Sequence, residues 1–433
     1  MSAWPIPTEP VVTPAALPPQ PAPAKVKVLH VITRFWAGAG GNTLLSATGM
    51  DPDRYEVWVA GCPGGPLWDR AEAAGVRTVQ VRRFSETLSP VDDLYVLVQL
   101  VRLIRAERFT VVHTHSAKGG FLGRIAAWLC RVPVIVHTFH GFSFHDFMGP
   151  LRRRAYLALE RLVRPMTDGF LAVSPRVARE AVETRLAGPG RVGVVPSAVE
   201  LDQIPSRPDP AVRAELGIPA SAPVVGTVGR VDQQKSPLDF VRMAAAVARR
   251  RPDARFVMVG AGPLEDEVRA EAARLGVEVL LTGYRPDAPR IGASFDVFVI
   301  SSLYEGLGRA LTEALASGRP VVATAVNGVP DLVVPGATGL LAPARDPDAL
   351  AEGVAWLLDH PEEGRRMGAQ GRAGVLAVFS PVRMCHLIDQ AYCRLLGLPA
   401  PAAPTVDLTR VGEPAPAGEL GLGGPAPVVE LTA

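Results

Sequence analysis

The sequence predicts an α/β chain built from two parallel, doubly wound sheets in succession. Three observations predict it. Short apolar runs alternate with helical segments through the middle of the chain, the pattern of strands paired in parallel through crossover helices. The alternation comes in two series, one from Lys25 and one from Pro223, with a proline-rich stretch between Pro196 and Pro219 as the hinge. The 433 residues, 48% hydrophobic and 20% charged, exceed what one core accommodates, because single cores stop growing near about 250 to 300 residues.

In chain order, residues 1–24 hold eight prolines and no Lys or Arg. They lack the positive start and apolar run of a secretory signal and read as a disordered tail. Residues 25–200 form the first unit, with strands expected in KVLHVIT, YEVWVAG, RTVQV, TVVHTH, PVIVHTFH and GFLAVS. Residues 201–380 form the second, with strands in PVVGTVG, ARFVMVG, VEVLLTG, DVFVIS and RPVVAT, closed by two helices after Asp346. Residues 381–398, SPVRMCHLIDQAYCRLLG from Ser380 onward, make a helix long enough to cross back to the first unit. Residues 399–433 hold seven prolines with glycine and alanine and read as a second disordered tail.

Composition excludes several classes. Cys62, Cys130, Cys385 and Cys393 show no paired spacing, so neither a disulfide frame nor a zinc site is indicated, and a cytoplasmic setting is expected. No run of about 18 apolar residues predicts a spanning helix. The net charge of +2 gives no reason to expect nucleic acid. It is unevenly placed: residues 1–200 carry 23 Lys/Arg against 16 Asp/Glu, so the first unit is the one expected to meet an anionic partner.

The stretch Ser301 to Val322, SSLYEGLGRALTEALASGRPVV, carries the chemistry. Glu305 and Glu313 stand eight positions apart on a turn feeding a helix, which sets them roughly 10 Å apart along one side. A retaining glycosidase pair needs about 5 to 5.5 Å, so the two suit the ends of a long polyhydroxylated ligand better; an inverting pair stays open. Between them Gly306, Leu307 and Gly308 lead into backbone N–H groups of Gly308, Arg309 and Ala310 that open the helix, where free donors and the dipole favour a diphosphate. A pair of solvated helix glutamates is the plain alternative. Upstream, Arg230 and Lys235 lie five positions apart in the strand-to-helix loop GRVDQQKSP and are placed to clamp a diphosphate. Gly38, Gly40 and Gly41 in RFWAGAGGN follow the first strand, in a spacing that is not the dinucleotide fingerprint. His140 closes the strand PVIVHTFH at an edge facing the cleft, with His113, His115, His137 and His145 as competitors; His113 and His137 read as packed within strands.

Together these blocks resemble the retaining glycosyltransferases of family 4, over about Lys25 to Leu396. That resemblance implies the GT-B architecture, two Rossmann-like units facing across a cleft. It implies that Glu305 contacts the transferred sugar, Glu313 the ribose diol, Arg230 and Lys235 the pyrophosphate, His140 the reacting end, and Gly40 and Gly41 the floor of the site. Gly306, Leu307, Gly308 and Arg309 fall within the donor-binding signature, and Tyr284, after Gly283, falls near the base. The nucleotide-sugar is then a co-substrate, with no cofactor and no metal required. One departure stands out: where the family shows an Asn-Gly pair after the last strand of the first unit, this chain has Pro196, Ser197 and Ala198.

The Asp51 and Asp53 triplet and the Asp346 and Asp348 triplet are similar to a metal-binding DxD, but each reads better as a proline turn or helix start, with Asp346 an N-cap. The turn of Gly260, Gly262 and Pro263 reads as structural. For the acceptor, residues Leu151 to Met166 place Ala155, Ala158, Leu159 and Leu162 on one side and Arg152, Arg153, Arg161 and Arg164 elsewhere, beside the aromatic loop FHGFSFHDF. This reads either as an anionic-membrane surface or as a core helix with an arginine-rich outer face. The same region resembles family members acting on polyprenyl-diphosphate-linked sugars in polysaccharide biosynthesis. The expectation is a hexosyl or N-acetylhexosaminyl transfer from a UDP-sugar to a glycolipid precursor by a cytoplasmic, peripherally bound enzyme. A nucleotide-sugar epimerase and a non-catalytic nucleotide-sugar binding protein remain as alternatives.

Overall fold

The computed structural model describes residues 25–401 apart from Ala37, Ser143 and Asp146. The readings of 1–24 and of 402–433 as tails lie outside the described residues. The first sheet comprises β1 (Val26–Val31), β2 (Tyr55–Gly61), β3 (Arg77–Gln80), β4 (Val111–His115), β5 (Val134–Phe139), β6 (Gly169–Ala172) and β7 (Val192–Val194). Their order is β3-β2-β1-β4-β5-β6-β7 and each neighbouring pair is parallel. The second sheet comprises β8 (Val224–Val228), β9 (Arg255–Val259), β10 (Val279–Leu281), β11 (Val297–Ile300), β12 (Val321–Thr324) and β13 (Leu340–Ala342), in the order β10-β9-β8-β11-β12-β13, again parallel.

Helices cover both faces of these sheets, so the central strands read as near-continuous apolar runs. VVHTH of β4 and VIVHTF of β5 are buried at every position, and their histidines and threonines are therefore obliged to find partners. The short strands β7 and β13 were not foreseen. Each has three residues, lies at the end of its sheet and carries little apolar pattern, so only pairing with β6 and β12 defines it.

The strand order reverses between β1 and β4 and again between β8 and β11. At such switch points the loops leaving neighbouring strands diverge to opposite faces and open a crevice at the carboxyl ends. The loop after β8 carries Arg230 and Lys235, and the loop after β11 carries Glu305. The helix Pro381–Leu396 lies against the first sheet, burying Met384, Ile388 and Tyr392 among Val28, Tyr55, Val111 and Val134. Arg54 of the first unit pairs with Asp389 of this helix at 2.8 Å. Asp51 accepts from the Asp53 backbone N–H at 2.9 Å, and Asp346 caps the helix Pro347–Asp359 through the Ala349 N–H at 2.9 Å, so both triplets are backbone devices as read.

Candidate active site

The loops after β8 and β11 are laced together before any functional side chain is considered. Ser301 Oγ donates to the Lys235 carbonyl at 2.9 Å, the Leu303 N–H to the Gln234 carbonyl at 2.8 Å, and Gln234 Nε2 to the Tyr304 carbonyl at 3.0 Å. The stem of Lys235 lies along Gly229, and its ammonium pairs with Glu305 Oε1. Glu305, 7% exposed, also accepts from Ser302 Oγ at 2.8 Å. Ser302 is itself fixed by Thr324 Oγ1 donating to its carbonyl at 2.6 Å. A buried carboxylate held by a cation and a hydroxyl is fixed in orientation, which suits an acceptor of sugar hydroxyls.

Arg230 is not brought directly to this pair. It is 58% exposed in its side chain, paired with Asp232 at 3.0 Å and donating to Gln234 Oε1 at 2.9 Å. Gln234 links it to the backbone of Tyr304, next to Glu305.

Gly308 precedes the helix Arg309–Ala316 with φ 87°, a left-handed value that favours glycine and turns the chain sharply into the helix. Within that helix Arg309 Nε donates to Glu313 at 2.8 Å, and Arg309 also lies 3.6 Å from Glu200. Burial pushes the Glu313 carboxyl up, against the lowering effect of Arg309 beside it. A small recess adjoins Glu313, walled by Val228, Pro289, Phe298, Ala310 and Ser317. Tyr284, which follows the left-handed Gly283 (φ 70°) after β10, is 68% exposed.

The first unit closes on the same place. Gly41 lies in the helix Ala39–Thr48, and a Cβ on it would stand 2.6 Å from Arg309 Nη1; one on Gly40 would stand 3.0 Å from the Phe35 carbonyl carbon. Gly141 is equally tight, since its Cβ would meet the Gly306 nitrogen at 3.2 Å, and the Gly306 α-carbon packs on the His140 carbonyl with no room for a side chain. Thus His140–Gly141 and Glu305–Gly306 touch backbone to backbone across the two units. Behind them Asn327 Oδ1 accepts from the Glu305 N–H at 3.0 Å while its Nδ2 donates to Glu180 of the first unit at 3.1 Å. Tyr304 stacks on His145 with centroids 4.1 Å apart. The departing loop also has a partner: the Ala198 N–H donates to Asn42 Oδ1 at 3.2 Å.

Ser302, Tyr304 and Asn327 were missed from the sequence. Only Asn327 carried a signal, an Asn-Gly turn with Asn in the left-handed region (φ 39°).

The comparisons with known proteins decide the family. The model for "Glycosyltransferase Family 4" matches residues 38–203, and that for "Glycosyl transferases group 1" matches residues 222–360. The Escherichia coli UDP-Gal:alpha-D-GlcNAc-diphosphoundecaprenol alpha-1,3-galactosyltransferase is 30% identical over 344 residues, covering 78% of this chain and 89% of the relative. The chain belongs to glycosyltransferase family 4.

The alpha-maltose-1-phosphate synthase of Mycolicibacterium smegmatis is 32% identical over 311 residues, covering 66% of this chain and 78% of the relative. Among solved structures, Anabaena Alr3699/HepE in complex with UDP and glucose superposes with a TM-score of 0.74 at 20% identity, covering 85% of this chain and all of that one. WaaG, a glycosyltransferase involved in lipopolysaccharide biosynthesis, superposes with a TM-score of 0.68 at 17% identity, covering 86% of this chain and 100% of that one. This family 4 glycosyltransferase therefore has the GT-B fold. Among the described residues no helix is long and apolar enough to cross a membrane.

One correction concerns the helix Pro150–Val163. Its inward face is Leu157, Glu160 and Val163, with Glu160 paired to the buried Arg124 at 2.6 Å. The side holding Ala155, Ala158, Leu159 and Leu162 faces outward, Leu162 being 60% exposed, and so is Leu151 at 80%. The helix packs inward through Leu157 and Val163 and keeps Arg152, Arg154, Arg161 and Arg164 outside, as a core helix with an arginine-rich exterior does, but it also exposes the Ala/Leu stripe. Its exterior is a mixed apolar and cationic surface, with Leu157, Val163 and the Arg124-paired Glu160 on the inward side.

Proposed function

We propose that this glycosyltransferase moves a hexosyl or N-acetylhexosaminyl group from a UDP-sugar, with retention of configuration, to a hydroxyl of a polyprenyl-diphosphate-linked glycan at a membrane surface. The observation that carries this reading is the meeting of the Lys235–Glu305 loop with the His140–Gly141 backbone, which supports a shared site between the two units. The activity named for the Escherichia coli relative, with a UDP-sugar donor and a diphosphoundecaprenol-linked acceptor, supports the same substrate classes. Alr3699/HepE was solved with UDP.

In this reading the sugar C1–O bond to the diphosphate breaks as the acceptor oxygen bonds to C1 on the same face. The acceptor proton passes to the departing phosphate oxygen. Lys235 and, by swinging from Gln234, Arg230 stabilise the growing phosphate charge. Glu305 accepts from the sugar hydroxyls, and Glu313 from the ribose diol. Gly40 and Gly41 keep the floor low enough for the donor. Neither metal nor cofactor enters the step.

The test is transfer by the purified chain from a panel of nucleotide-sugars to an N-acetylglucosaminyl-diphosphate polyprenol, with EDTA present and the product anomer read by NMR. One UDP-sugar giving a retained linkage is the expected result. Inversion, or no transfer from any UDP-sugar, contradicts the proposal.

The outward face of Pro150–Val163, with Leu151, Leu159 and Leu162 beside Arg152 and Arg154, is the surface we assign to the anionic membrane. Arg161 is a poor test residue because it bonds the Thr184 carbonyl at 2.9 Å. Replacing Arg152 and Arg154 by Gln should lower recovery with anionic vesicles on flotation; equal recovery rejects the membrane surface.

A further inference from the structure

Three imidazoles stand in line across the first sheet. His30 Nδ1 of β1 lies 2.8 Å from His115 Nε2 of β4, and His115 Nδ1 lies 2.9 Å from Nε2 of His140, the residue that follows β5. Each of these contacts is short enough to hold one proton and only one. Burial holds all three rings neutral: the pKa of His30 is lowered to about 3, that of His140 to about 4, and His115 well below the ordinary value. Three neutral rings carry three protons, and two are in the contacts. The third sits at one end or the other, on His30 Nε2 or on His140 Nδ1.

The inner end decides between them. His30 is fully buried, and its Nε2 has no hydrogen-bond partner among the described residues. A buried N–H without an acceptor costs more than a bare lone pair without a donor. The proton therefore belongs on His30 Nδ1, donated to His115 Nε2. His115 then carries its proton on Nδ1 and donates to His140 Nε2, which leaves the His140 proton on Nδ1. His113, with its ring centroid 4.3 Å from that of His115, stays outside the chain: Tyr392 Oη and Thr138 Oγ1 occupy its two nitrogens at 2.6 Å each. Although nitrogens of His30, His113 and His115 lie within 4.8 Å of one another, these contacts make the cluster a hydrogen-bond network and not a cation cage.

We propose that His115 and His30 are positioning residues that fix His140 in the Nδ1–H tautomer, so that it meets the donor sugar as a hydrogen-bond donor. This rests on the placement of His140 at the reacting end proposed above. With its Nε2 engaged by His115, His140 has one nitrogen left for the substrate. A bare nitrogen there could only accept from a sugar hydroxyl, whereas an N–H donates to a sugar oxygen and orients its lone pair.

The tautomer is read directly in the intact protein by long-range 15N–1H correlation on histidine-labelled wild type, with His140→Gln assigning the signals. A protonated Nδ1 and a bare Nε2 are expected; the reverse overturns the proposal without any kinetic measurement. Two variants separate positioning from packing. In His115→Asn the amide nitrogen replaces Nδ1 and keeps a donor to His140. In His115→Gln the amide replaces Nε2 and loses it. Gln should convert His140 to a tautomer mixture and lower kcat about tenfold with little change in donor KM, while Asn restores most of kcat. Equal rates for the two variants, or an unmoved tautomer in His115→Gln, overturn the positioning role. Wild-type transfer by His140→Ala would remove His140 from the site, and with it the chain's role in transfer, while the tautomer result stands.

Discussion

Gly306 is the residue at which the two units meet, and its lack of a side chain is a condition of that meeting. Its α-carbon packs on the His140 carbonyl, which as backbone cannot rotate away. Gly306→Ala should therefore hold the cleft ajar and lower kcat/KM by about a hundredfold, the scale set by misplacing reacting groups by about 1 Å, while the fold survives. Near-normal kcat/KM would refute the contact. Gly41→Ala meets only the flexible Arg309 guanidinium at 2.6 Å, so its expected effect is smaller, a donor KM raised several-fold. Residues of this kind separate what was legible in the sequence from what was not. Glu305, Lys235 and Gly306 were legible because their neighbours in the chain form spaced blocks. The Asn327–Glu180 and Tyr304–His145 links were not, because each joins segments far apart in sequence and only the packed units bring them together. The inner members of the histidine line were hidden for a related reason: His30 and His115 belong to different strands, and only the β1-β4-β5 pairing aligns them.

At the scale of elements, parallel strands could be anticipated from apolar runs, whereas their order in each sheet and the faces of helices could not. Pro150–Val163 shows why: Leu157, Val163 and the Glu160–Arg124 pair turn inward together, leaving the Ala/Leu stripe outside. The helix Pro381–Leu396 was legible by length, but its polar role was not. It supplies Tyr392 Oη to His113 Nδ1 at 2.6 Å, closing the histidine layer from above. Tyr392→Phe removes that partner and leaves a buried nitrogen unsatisfied, so the protein should lose about 1–3 kcal/mol in urea unfolding. An unchanged midpoint and slope would show that the hydroxyl carries no such role. At the other end of the same helix Ser380 caps the Arg383 N–H at 3.2 Å, and Ser380→Ala should lose about 1 kcal/mol.

Across the whole molecule, the first unit holds four buried histidines, His30, His113, His115 and His137, and a half-buried His140 in neutral form, each with its pKa lowered chiefly by desolvation. The sign follows from proton binding. Below the unfolded value of about 6.5 the unfolded chain takes up protons that the folded chain excludes, so stability is fully present above about pH 6.5 and is lost as pH falls towards the folded values near 4 and 3. Each residue contributes a slope of up to about 1.4 kcal/mol per pH unit. The urea midpoint should fall steeply between pH 6.5 and 5, a window in which most carboxylates remain ionised; a flat midpoint there would mean that the histidine layer is hydrated or charged. Above pH 6.5 these groups leave transfer rates unaffected by their titration.

The central claim is that a cation from the loop after β8 and a carboxylate from the loop after β11 act on one activated sugar. A double-mutant cycle on kcat tests it most directly, using Lys235→Ala, Glu305→Ala and the double variant with the UDP-sugar and lipid-linked acceptor. Residues acting as a unit are non-additive, so the double variant should be little slower than the slower single variant. Losses that multiply independently would contradict a shared site.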